Sequence, residues 1–148
     1  MTLVALLAFP AGASELPDLG ESARATITEA QEAQLGREIM RQIRGEKDYL
    51  DDPELVEYLN SLGDQLVAAS PAPYRQFEFF IVRDATINAF ALPGGYVGVH
   101  TGLISAARNE AELAGVLAHE IAHVTQDHIA RMVDAQKINS SATMAAQA

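Results

Sequence analysis

Residues 118–124 read Ala118-His119-Glu120-Ile121-Ala122-His123-Val124, an HExxH motif inside a run of helix formers. On an α-helix, residues four apart lie one above the other, so the imidazoles of His119 and His123 can close on one metal ion. Glu120 adjoins the first histidine and reaches a water beside the metal rather than the metal itself. Two neutral nitrogen ligands and a carboxylate placed to take a proton are what a zinc peptidase requires. HExxH arises by chance in roughly one chain of this length in a few hundred, so the surrounding residues have to decide.

Asn109-Glu110-Ala111-Glu112 is a helix-start signature, in which Asn109 caps the first amides and Glu112 reaches back much as in a capping box. Leu113, Val116, Leu117, Ile121 and Val124 then recur at helical spacing, which predicts an amphipathic helix running to about Met132. The alternative is a core helix with two buried histidines. Such a helix needs internal hydrogen-bond partners for both rings and has no use for a carboxylate between them.

A chain of 148 residues, 49% of them hydrophobic, is one domain or part of one and can bury a core. Its formal charge of −10 argues against a nucleic-acid partner. With no cysteine, disulfides, thiolate zinc ligands and a lipid-modified N-terminal cysteine are excluded.

Leu3 to Phe9 is an apolar run of signal-peptide length, followed by the small-x-small site Ala11-Gly12-Ala13, although no basic residue precedes the run. Residues 1–13 are therefore expected to be a signal peptide, 14–27 an extended leader, and 28–148 the N-terminal part of a metallopeptidase domain exported to the periplasm. No other apolar run has the length to span a membrane.

Thr28 and Gln31 predict a capping box opening a first helix that ends at Gly45, with Leu35, Ile39, Met40 and Ile43 as its apolar stripe. Asp52-Pro53 opens a second helix, buried through Leu55, Leu59, Leu62 and Leu66 and closed by Ser70-Pro71-Ala72-Pro73. Phe77 to Val82 and Tyr96 to His100 read as strands. Between them Asn88 to Gly95 turns the chain and reads as an edge or hairpin, since Pro93 cannot donate to a ladder and the Gly pair permits a tight turn. The expected class is α+β, with the HExxH helix packed on a small sheet after two helices. A strand edge beside the metal helix is either a cradle for an extended peptide, Asn88, Ala89, Phe90 and Ala91 being the candidates, or a hairpin covering the helix.

Asn88 to Gly95, then Val99-His100-Thr101-Gly102-Leu103-Ile104, then Asn109 to Val124 together resemble the zinc endopeptidases of the CAAX-protease and heat-shock-peptidase clan, above all its periplasmic, β-barrel-assembly branch. The resemblance implies a minigluzincin-type fold, Zn²⁺ held by His119 and His123, and Glu120 as general base. It also implies hydrolysis of misfolded or misassembled envelope proteins, with the outer-membrane assembly machinery as a candidate partner.

Members of that clan take a third ligand from a glutamate on a later helix, which this reading expects beyond Ala148. Within the chain, Asp127 shares the histidine face, but ligands stacked from His119 to Asp127 span about 12 Å, too far for one tetrahedral ion. His128 faces away on a continuous helix. His100 ends the second strand, where substrate contact and a structural hydrogen bond are both open. Should the third ligand be missing altogether, the alternatives are a non-catalytic, chaperone-like module that holds clients on the strand edge, or an inactive fragment.

Overall fold

The computed structural model describes residues 28–146, apart from the side chains of residues 128–136, 138, 139, 141 and 142. The signal-peptide and leader expectations, and the side chain of His128, lie outside the described residues.

Helix α1 (Glu29–Arg44) begins at the expected capping box: the Gln31 N–H donates to Thr28 Oγ1 at 3.2 Å, and the Thr28 N–H donates to Gln31 Oε1 at 2.9 Å. Acidic Glu29 and Glu32 in its first turn and basic Arg41 and Arg44 in its last oppose the helix dipole. Its buried line differs from the expected stripe, for Met40 and Gly36 are buried while Leu35 is 45% exposed. The cause is close approach at Gly36, where a Cβ would run into the Pro93 carbonyl and the Tyr96 ring. Only glycine lets α1 lie that near, and this turns Leu35 outward.

Strand β1 (Tyr49–Leu50) is followed by α2 (Pro53–Ala68), whose first free amides, those of Glu54 and Leu55, both donate to Asp52 Oδ1 at 3.1 Å. Then come β2 (Glu78–Val82), β3 (Ala89–Leu92), β4 (Tyr96–His100), the short α3 (Thr101–Ala106) and α4 (Glu110–Ala146). The expected strands at 77–82 and 96–100 are present. β1, only two residues long, is an addition. Ala89–Leu92, read from the sequence as an edge or hairpin, is an edge strand.

The sheet order is β1-β2-β4-β3. β4 runs parallel to β2 and antiparallel to β3, with Gly98 facing Phe80 on one side and Phe90 on the other. The chain leaves β2, passes over the place of β4, lays β3 at the edge, and returns through Pro93-Gly94-Gly95. Gly94 and Gly95 have φ of 85° and 83°, a left-handed conformation that glycine adopts freely.

Strand alternation sends Phe79, Ile81, Val97 and Val99 to one face, where they form the core with Leu59, Leu62 and Val67 of α2 and Leu113, Leu117 and Ile121 of α4. On the opposite face the Phe90 ring folds over Gly98, edge-to-face with Phe80 at 5.8 Å and with His100 at 5.7 Å. The outer edge of β2 at Phe79 is finished by a side chain. Asn60 Oδ1 accepts from the Phe79 N–H at 2.9 Å, and Asn60 Nδ2 donates to the Phe79 carbonyl at 3.0 Å.

α4 is 37 residues long and overruns the expected end at Met132. From Val116 to Ala148 the sequence holds neither glycine nor proline, so nothing stops the helix there. Its start also departs in detail from expectation. Asn109 Oδ1 caps the Glu112 N–H at 3.0 Å, but Glu112 reaches past Asn109 to the Arg108 N–H at 2.9 Å and to Arg108 Nε at 2.8 Å. The guanidinium draws the carboxylate one residue further back and holds its pKa low, the side-chain bond contributing most.

Candidate metal centre

α4 has to serve a core and a site at once, and its periodicity divides the work. Leu113, Leu117, Ile121 and Thr125 follow each other at intervals of four and are at most 4% exposed. Thr125 satisfies its buried hydroxyl within the helix, donating to the Ile121 and Ala122 carbonyls at 2.9 and 3.0 Å. His119 and His123 lie two residues on from Leu117 and Ile121, rotated by about 200°, and both are exposed. Glu120, between the two lines, is half-buried. Burial of the leucine line thus aims the histidines outward.

The two rings converge. His119 Nε2 and His123 Nε2 are 2.9 Å apart, with ring centroids at 4.4 Å and planes at 89°. A tetrahedral zinc ion with bonds near 2.0–2.1 Å separates two ligating nitrogens by about 3.3 Å, so the rings need to part by only a few tenths of an ångström to admit it. Imidazole nitrogens one helical turn apart, both turned to the same point at an exposed surface, fit the ion that the motif implies. Among the described residues no group of three His, Cys, Asp or Glu could hold a metal ion, so neither Asp127, His100 nor Glu120 completes such a set.

α4 packs against β3, which brings Ala89–Leu92 beside the motif helix. β3 has β4 as its ladder partner and is the last strand of the sheet order on that side. Ala89 is half-buried against the core, Ala91 exposed, and Asn88 lies just before the strand with its carbonyl accepting from the His100 N–H at 3.0 Å. Gly115, one turn before His119, is exposed, and a Cβ there would have nothing within 4 Å.

His100 is not brought into the histidine pair. Its Nδ1 lies 2.8 Å from Thr86 Oγ1, a structural hydrogen bond. The sequence reading missed its partners, Asp84 and Thr86, although Asp-x-Thr is the pattern of an Asx turn. Asp84 Oδ1 accepts from the Thr86 N–H at 2.9 Å and the Thr86 hydroxyl at 2.7 Å. The backbone bond first, the hydroxyl next and the nearby His100 last hold the Asp84 carboxyl below its ordinary range. Tyr58 was missed as well: its hydroxyl donates to Glu110 Oε2 at 2.8 Å, fixing the start of α4 to α2.

Comparison with known proteins agrees with this geometry. The β-barrel assembly-enhancing protease of Escherichia coli (strain K12) is 43% identical over 136 residues, covering 92% of this chain and 28% of its own length. A Vibrio cholerae counterpart is 49% identical over 134 residues, again covering 28% of that protein. A more distant relative, the mitochondrial metalloendopeptidase OMA1 of Schizosaccharomyces pombe, is 38% identical over 76 residues, 51% of this chain and 23% of its own length. The chain thus spans little more than a quarter of the bacterial relatives it matches. A family model described as peptidase family M48 matches residues 53–148, which takes in α2, the whole of β2–β4 and the motif helix. On that match, and with the histidine pair and its carboxylate in place on α4, the chain belongs to peptidase family M48.

Proposed function

We propose that this chain carries the zinc-binding and proton-transferring part of an endopeptidase that hydrolyses misfolded or misassembled envelope proteins. The observation that supports it most is the placement of His119, Glu120 and His123 on a helix that packs directly against an edge strand. His119 and His123 are the residues that would hold zinc. When bound, zinc supplies the Lewis acidity that makes water a nucleophile near neutral pH and steadies a developing oxyanion. Glu120 accepts the proton of the attacking water and passes it to the leaving amine. The free edge of β3 pairs with the substrate backbone as one further strand, so that recognition falls on extended main chain rather than on one side-chain sequence. That suits a client defined by being unfolded.

The action on outer-membrane barrel clients and the periplasmic setting rest on the names of the bacterial relatives and on the apolar N-terminal run. Among the described residues no helix is long and apolar enough to cross a membrane. Incubating the zinc-loaded protein with a chemically unfolded outer-membrane barrel protein and with the same protein folded in detergent tests the reading. Cleavage of the unfolded form alone is the expected result. Stable binding without cleavage would instead favour a client-holding module or a fragment that lacks its third zinc ligand.

A further inference from the structure

Residues 83–88 carry the chain from β2 to the edge strand β3, and they are tied down where β4 turns into α3. The Asp84 carbonyl accepts from the Gly102 N–H at 2.8 Å and from the Thr101 hydroxyl at 3.0 Å, while the Asp84 N–H donates to that hydroxyl at 3.1 Å. Gly102 has no room for a side chain, because a Cβ would meet the Ala85 and Thr86 carbonyls.

On top of this backbone clamp sits a side-chain relay whose direction follows from counting protons. Thr86 has one hydroxyl proton, and the Asp84 carboxylate can only accept. The Thr86 proton therefore goes to Asp84 Oδ1 at 2.7 Å, and the contact of 2.8 Å between Thr86 Oγ1 and His100 Nδ1 needs the proton of the imidazole. The chain runs His100 Nδ1–H to Thr86 Oγ1–H to Asp84 Oδ1. The His100 side chain is 12% exposed, and its ring also stands edge-to-face on Phe90, the aromatic residue of β3. One imidazole thus grips both the loop that delivers the edge strand and the strand itself.

We propose that His100 and Thr86 are positioning residues for the substrate, acting through β3: their hydrogen-bonded chain to Asp84 holds the edge strand in the register at which an extended peptide pairs with it. The inference rests on the reading of β3 as the substrate cradle. Among the described residues β3 has β4 as its single ladder neighbour, so its register depends on its two ends, and a slip of one residue sends every side chain to the other face. At its far end the Gly94–Gly95 turn sets that register. At its near end this chain of hydrogen bonds adds to the backbone bond from the His100 N–H to the Asn88 carbonyl and to the Asp84 clamp.

The test uses the full chain carrying Glu120→Gln, loaded with zinc, with β-casein as an unfolded probe. Thr86→Val and His100→Phe remove the chain; Thr86→Ser and His100→Asn keep a hydroxyl and an Nδ1-like donor. Three quantities are read: backbone hydrogen exchange of residues 89–92, the Kd for β-casein, and zinc content. The disrupting pair is expected to speed exchange in β3 and weaken casein binding about tenfold, the worth of one lost hydrogen bond to the cradle, with zinc content unchanged. The conservative pair is expected to stay within about twofold of the parent. Exchange in β3 that stays at the parent rate in Thr86→Val and His100→Phe overturns the proposal, as does equal loss in the conservative pair. Faster exchange with unchanged casein binding upholds the positioning of β3 and instead sinks the reading of β3 as the cradle.

Discussion

His119 Nε2 and His123 Nε2 face each other at 2.9 Å, a few tenths of an ångström short of the separation at which both would ligate one zinc ion. Removing either ring leaves a single nitrogen, which cannot chelate. His119→Ala is expected to weaken zinc binding by more than about 100-fold, since even groups that merely support a ligand are worth 10–100-fold. Zinc titration against a competing chelator checks it, and comparable affinity in the variant would place the metal elsewhere.

Glu120 is half-buried between the histidine line and the core line of α4 and, among the described residues, is no part of a three-ligand set. Glu120→Gln keeps the shape of the side chain and removes the base. Peptide cleavage should fall by about 10²–10⁴-fold with zinc content intact. A variant that still cuts would move the base to another residue.

The sequence announced those three residues because a motif on one helix face is local information. The same holds for the caps, where Thr28 and Gln31, or Asp52 and Pro53, are neighbours along the chain. What stayed hidden depends on how distant segments meet. Leu35 reads as part of an apolar stripe, and only the approach of the Pro93 carbonyl to Gly36 turns it outward. His100 and Thr86 lie 14 residues apart and meet through the strand order, which no periodicity encodes. β1 is two residues long, too short to show a pattern. The end of α4 was misplaced because an alanine-rich run without glycine or proline carries no stop signal.

Asn60 stands in for a neighbouring strand at Phe79, satisfying both of its backbone polar groups. Asn60→Ala leaves that N–H and carbonyl without these partners beside the core. A loss of about 1–3 kcal/mol is expected, measured by chemical denaturation, with zinc stoichiometry unchanged.

Asp84 carries the pH dependence of the loop before β3. Its folded-state pKa is depressed, so the stability it gives is present above the unfolded value and lost as pH falls through the folded one. The Thr86 amide proton resonance should therefore titrate with a midpoint below the ordinary 3.8 of this carboxyl. Asp84→Asn should abolish that titration; a midpoint above 3.8 would show that the carboxylate is not the acceptor.

Gly115 lies mid-helix, where glycine costs roughly 0.5–1 kcal/mol relative to alanine, yet an added methyl would touch nothing in the protein. Gly115→Ala should accordingly raise stability by about that amount. The fold would gain from a residue it does not have, one turn above His119 on the face where the two imidazoles meet. The bare stretch of backbone at Gly115 leaves open space one turn from the histidine pair, the headroom that the proposed polypeptide substrate would need, at the expense of a tighter helix.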